Sequence, residues 1–169
     1  MKTLKKKIYL ILAIAALLTS SAGGYFYFRD RDVRLIRNLV GELENIAAKR
    51  PGKSNALSLL DAATPERVFA NQLKVSSDRP QVDRSFTLKE ISQYLVAMKK
   101  NCSSAALNVE ITNIEIKNDQ AAVSGSCVFS GSTSRRGSFR EVRDVIFYCS
   151  KIENKWKIST IELRSILSK

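Results

Sequence analysis

The chain has 169 residues, 44% of them hydrophobic and 26% charged, which suits one folded domain with an N-terminal extension and argues against disorder. Histidine is absent, so every chemistry that needs imidazole as a general base, a near-neutral switch or a metal ligand is excluded. The formal charge is +12, and without the four lysines of the leader (Lys2, Lys5, Lys6, Lys7) it is still +8; such a surface attracts anionic lipid or an acidic partner and says nothing of fold.

Residues 1–7 form a basic leader, and residues 8–18 form an unbroken apolar run, the two parts of an export signal. Ser20 and Ala22 add a small-x-small pattern, so cleavage after Ala22 and secretion are one reading. The other extends the span to Phe28. Residues 8–28 carry no charge, about the 20 residues that cross a bilayer, and Tyr25, Phe26, Tyr27 and Phe28 end it as an interfacial belt. This second reading is preferred: residues 1–28 are a single-pass anchor in the cell inner membrane, and residues 29–169 fold on the extracytoplasmic, periplasmic side.

Asp30 or Asp32 is placed to cap a helix whose apolar stripe is Val33, Ile36, Leu39, Val40, Leu43, Ile46 and Ala47, stopped by Pro51 and Gly52. A short helix is expected over 54–60. A helical turn at Thr64, Pro65 and Glu66 then leads into a strand through Val68, Phe69, Leu73 and Val75. Thr87 with Glu90 is a capping box that opens a third helix, with Leu88, Ile91, Tyr94, Leu95 and Met98 on its apolar face and Lys99 and Lys100 in its last turn.

From there the period becomes 2. Leu107, Val109 and Ile111 alternate, and Ile114 and Ile116 continue in the opposite phase, which predicts a bulge near Thr112 and Asn113. Asn118 and Asp119 turn into a strand with Ala121, Val123, Gly125, Cys127 and Phe129 on one face. A polar loop over 131–137 leads to a strand over 139–150. Glu153 and Asn154 turn into a last strand with Trp156 and Ile158, whose phase slips to Ile161 and Leu163. The class is α+β: three helices packed on one face of a curved antiparallel sheet.

This order of elements, with Leu59-Leu60-Asp61 closing the short helix and Lys155-Trp156-Lys157-Ile158 in the last strand, resembles the nuclear-transport-factor-2-like superfamily, whose relatives include ketosteroid isomerases. The resemblance spans about Asp30 to Leu167. It implies a cone in which sheet and helices enclose a pocket, and a fold that serves enzymes, binding modules and scaffolds alike. The isomerase site is an aspartate base with a tyrosine and a second acid, for which Tyr94 and Asp144 are the only candidates here, and neither lies in a motif. An anchor followed by this fold is also similar in layout to the periplasmic scaffold component of type IV secretion systems.

The aromatics Tyr94, Phe147, Tyr148 and Trp156, with Asp144, either line such a pocket or serve as core. Arg135, Arg136, Arg140 and Arg143 make a basic cluster that either docks on an anionic surface or is a solvated hairpin. Cys102, Cys127 and Cys149 read as small buried hydrophobes; Cys102 with Cys127 is the disulfide that the strand layout least opposes. No metal site, cofactor or nucleic-acid partner is expected. The functional expectation is a non-catalytic binding or assembly domain at the membrane, partnered by another envelope protein or by a second copy through its sheet face. The alternative is a small-molecule pocket protein or an isomerase-like or lyase-like enzyme.

Overall fold

The computed structural model describes residues 30–49, 64–133 and 137–165. Two compact units divide the chain, Met1–Leu35 and Ile36–Lys169. Of the first, residues 30–35 are described and are helical. The expected anchor (1–28) and short helix (54–60) lie outside the described residues, within which no helix is long and apolar enough to cross a membrane. Two described helices therefore stand where three were expected.

Helix α1 (30–47) includes Asp30 and Asp32 within its helical residues, so neither is the cap that the sequence suggested. Within the second unit it buries Ile36, Leu39, Val40, Leu43, Ile46 and Ala47. That is one stripe at helical spacing, and it forms one side of the core. A single 3-10 turn, Pro65–Arg67, leads into strand β1, Phe69–Asp78, the strand after a helical turn that the residues predict. The Lys157 Nζ closes that turn by donating to the carbonyls of Glu66 and Arg67.

After a turn at Arg79 and Pro80, β2 (Gln81–Thr87) runs directly into helix α2 (Leu88–Asn101). Thr87 and Glu90 form the expected capping box: the Glu90 N–H donates to the Thr87 hydroxyl at 3.3 Å, and the Thr87 N–H donates to the Glu90 carboxylate at 2.8 Å. The apolar face is corrected at one position. Ile91 is buried, but Tyr94 is 57% exposed and packs edge-on against Phe86 with ring centroids 5.6 Å apart.

Four long strands follow: β3 (Cys102–Lys117), β4 (Gln120–Thr133), β5 (Gly137–Ile152) and β6 (Lys155–Arg164). Together with the first hairpin they make one sheet in the order β2-β1-β6-β5-β4-β3. The expected wholly antiparallel sheet is corrected here, because β1 and β6 pair in parallel, with Val75 opposite Ile161 and Ser77 opposite Leu163. Alternation tells which face a residue takes but not which strand lies beside it. The turns fall where the residues put them, with Asn118 at φ 53° and Glu153 and Asn154 at φ 50° and 61°, the left-handed conformation of tight hairpin loops.

Both phase slips in the sequence are bulges. In β3 the register jumps between Ile111 and Asn113, leaving Thr112 as the extra residue, and its hydroxyl donates to the Ser124 carbonyl at 3.0 Å. In β6 the extra residue is Ser159, since Tyr148 faces Thr160 and Cys149 faces Ile158, and its hydroxyl donates to the Tyr148 carbonyl at 3.0 Å. Each hydroxyl thus supplies a bond to the neighbouring strand where the ladder is interrupted. The β3 bulge also brings backbone onto Gly125, where an added Cβ would stand 2.3 Å from the Glu110 carbonyl oxygen. Only glycine fits that approach.

The outer edge of β3 is covered by the end of α1. Glu44 accepts the Val109 N–H at 2.6 Å, and Lys49 exchanges both backbone hydrogen bonds with Ala105 at 2.7 and 3.1 Å. The Lys49 ammonium reaches on to the Lys99 and Cys102 carbonyls at 2.6 and 2.7 Å, where the last turn of α2 leaves acceptors free of intrahelical donors. One residue thereby ties α1, α2 and the sheet edge together and satisfies groups that an open edge would leave bare.

Candidate functional site

Because both bulges shift the phase by one residue, each strand keeps its apolar set on one side along its whole length. That side carries Val109, Ile111 and Ile114 from β3, Val123 and Cys127 from β4, Val145, Phe147 and Cys149 from β5, and Trp156, Ile158, Ile161 and Leu163 from β6. Toward one end the face is solid: Ala121, Val123, Phe147, Cys149, Trp156 and Ile158 are all buried. Toward the other the side chains part.

There the surface opens into a cavity of about 260 Å³ lined by Leu43 of α1 and by Leu107, Cys127, Phe129, Glu141, Arg143, Val145, Phe147, Ile161 and Leu163. Phe129 and Phe139 stack obliquely beside it, centroids 5.2 Å apart. The volume falls just below the roughly 300–1,000 Å³ usual for small-molecule sites.

Two charged side chains border this apolar space, and they are bound to each other. Arg143 donates from Nε and Nη2 to one oxygen of Glu141 at 2.8 and 2.6 Å. Its Nη1 donates to the Ser165 hydroxyl at 3.0 Å and lies 4.0 Å from Asp78. Asp78 in turn accepts the Ser165 backbone N–H at 2.9 Å and its hydroxyl at 3.0 Å. That backbone bond is the main cause that holds the Asp78 carboxyl below its ordinary value. The network joins the end of β1 to the residue after β6.

The cysteines are free and buried. Cys127 faces Val109 across the ladder, and Cys102 faces Thr133 at the start of β3, so the two stand in different parts of the sheet. Burial raises the Cys127 thiol and pushes that of Cys149 up to about 12, so both stay protonated at neutral pH and neither is an activated nucleophile. Among the described residues no group of His, Cys, Asp and Glu is arranged to hold a metal.

Of the residues singled out by sequence, Trp156 is 4% exposed, with the Lys151 ammonium 5.5 Å above its ring, and it packs in the solid end rather than along the cavity. Tyr148 and Asp144 take the other phase of β5 and are exposed on the opposite side of the sheet. Tyr148 reaches Glu162 there at 3.4 Å, and Tyr94 is on α2 outside the cavity. Within the basic cluster, Arg140 is exposed in that outward phase, Arg143 turns into the cavity, and Arg135 and Arg136 lie outside the described residues. Glu141 was missed. Its signal, with that of Arg143, is their phase, two and four residues from Val145 and in step with Phe147.

No family model matches the chain, and no curated protein matches it in sequence. Solved structures do match in fold. The Kfla4162 protein of Kribbella flavida is 16% identical with a TM-score of 0.68, over 80% of this chain and 91% of that one. A putative scytalone dehydratase of Novosphingobium aromaticivorans is 13% identical with a TM-score of 0.64, over 82% and 87%. A nuclear-transport-factor-2-like protein with a cystatin-like fold from the same organism is 13% identical with a TM-score of 0.61, over 90% and 92%. The chain has the nuclear-transport-factor-2-like, cystatin-like α+β fold.

Proposed function

We propose that the chain is a non-catalytic binding domain, held on the extracytoplasmic side of a membrane by residues 1–28, that takes a small and mostly apolar molecule into the cavity between α1 and the sheet. The observation that carries this is the pairing of Arg143 with Glu141 at 2.6 Å on the wall of an otherwise apolar space. A general base needs an available lone pair within reach of the proton it removes. The one carboxylate among the described residues of this cavity has one of its two oxygens held by a guanidinium, the thiol is protonated, and the chain has no imidazole.

The enzyme reading keeps two points in its favour, an open cavity and the Glu141 oxygen that Arg143 does not hold. Titration of the full-length chain in lipid nanodiscs with toluene, against empty nanodiscs, tests the binding reading. Saturable binding that disappears when Leu163→Trp fills the cavity is the expected result. Equal signal from both proteins counts against it.

The opposite side of the sheet supports a second proposal, self-association of the domain. Val142 and Tyr148 are 40% and 41% exposed there, apolar groups that a second copy could cover.

A further inference from the structure

The cavity has a distinct polar end, and the balance of charge there restricts what it accepts. Arg143 has five N–H donors. Among the described residues three are engaged, two by Glu141 and one by Ser165, so each terminal nitrogen keeps one N–H for an acceptor placed in the cavity. The guanidinium charge is more than met, by Glu141 at 2.6 Å and by Asp78 at 4.0 Å. The nearby Arg164 is itself paired with Glu162 at 2.7 Å. An entering carboxylate would thus meet two negative groups around one positive group, beside apolar walls that offer it no hydrogen bond. A carbonyl, ether or hydroxyl oxygen carries no such penalty and gains a charge-assisted hydrogen bond. Volume adds a second restriction: about 260 Å³ lies below the range of sites for drug-sized ligands, which favours a single ring or a short chain.

We propose that Arg143 is the specificity-determining residue of the cavity, selecting uncharged one-ring or short-chain molecules with an acceptor oxygen, and that Glu141 and Asp78 exclude carboxylates. This rests on the cavity being a binding site, so the test separates the two ideas. Isopropylbenzene, acetophenone and benzoate have nearly the same shape and the same number of non-hydrogen atoms, and they differ in the polarity of one end. Their affinities for the full-length chain in nanodiscs are measured by ligand-observed NMR, with the Leu163→Trp variant as background for each.

Acetophenone is expected to bind about tenfold more tightly than isopropylbenzene, the worth of one hydrogen bond to a charged group, and benzoate more weakly than either. Arg143→Met removes the advantage of acetophenone without weakening isopropylbenzene. Glu141→Gln, at an exposed position, raises benzoate affinity. Benzoate as the tightest ligand of the unaltered chain overturns the proposal, and so does equal binding of acetophenone and isopropylbenzene. Both of these results are measured on the unaltered chain and hold even if the Arg143 variant fails to fold. Saturable binding of isopropylbenzene alone leaves the cavity reading intact while sinking the selectivity. No saturable binding of any probe above the filled variant sinks both.

Discussion

The two ends of the apolar sheet face are built from the same strands in the same alternation, yet one is solid and the other hollow. At the solid end Trp156, Ile158, Phe147 and Cys149 are 4%, 0%, 3% and 1% exposed. At the hollow end Leu107, Phe129, Ile161 and Leu163 are only partly covered and surround about 260 Å³. The lesson is that a strand pattern specifies which side is apolar, while the side chains across the gap decide whether that side becomes core or cavity.

The largest effect expected from this contrast comes from paired truncations. Ile158→Ala should cost about 3–4 kcal/mol, the range for deleting a fully enclosed aliphatic group, whereas Leu163→Ala, already facing open space, should cost about 1 kcal/mol. Urea unfolding of both checks it, and equal losses would erase the distinction between the ends. Next comes Gly125→Ala. Its new methyl meets the Glu110 carbonyl with no flexible atom to yield, so a loss of about 1–3 kcal/mol is expected together with weaker probe binding, as the bulge that curves β3 past the cavity is pushed away.

A smaller change serves as a baseline remote from both ends. Thr87→Ala removes the helix cap and should cost about 1 kcal/mol with probe affinity unchanged. The same box has a pH signature. Hydrogen bonding, first from the Thr87 backbone N–H, lowers the Glu90 carboxyl below its ordinary 4.5. The folded state therefore holds that proton less tightly than the unfolded chain, and the stabilisation is present above pH 4.5 and lost as pH falls through the lowered value. Glu90→Gln should flatten the acid limb of a stability profile measured by thermal melts, leaving the share that Asp78 contributes in the same way. The smallest effect on stability, within about 0.5 kcal/mol, is expected of Val142→Glu on the outward side; if that surface joins two copies, the sedimentation coefficient drops nonetheless.

Much of the fold was legible because it is written locally. Thr87 and Glu90 are three apart, the turn residues Asn118 and Asn154 tolerate positive φ, and the phase slips at Thr112 and Ser159 mark the bulges. The parallel pairing of β1 with β6 was not, because hydrogen bonds between main chains carry no residue signature. The site was half legible. Aromatic residues were expected to line a pocket or serve as core: Phe147 lines the cavity, Tyr148 lines a separate pocket on the outward side of the sheet, Trp156 packs in the filled end, and Asp144 falls in the outward phase. Arg143 stands in a run of arginines, and its phase along β5 sets it apart from Arg140.

The strand latest in sequence among those described is also one of the most central, since β6 lies between β5 and β1. Among the described strands, the β1–β2 hairpin has no sheet neighbour other than β6, although more than seventy residues separate Phe69 from Ile158, its partner. During synthesis that hairpin must wait, its long side unpaired, until nearly all the described chain has emerged, which makes closure a late, long-range event. A chain truncated before Lys155 should therefore keep its first hairpin open to proteases and chaperones, and a chain a dozen residues longer should hide it.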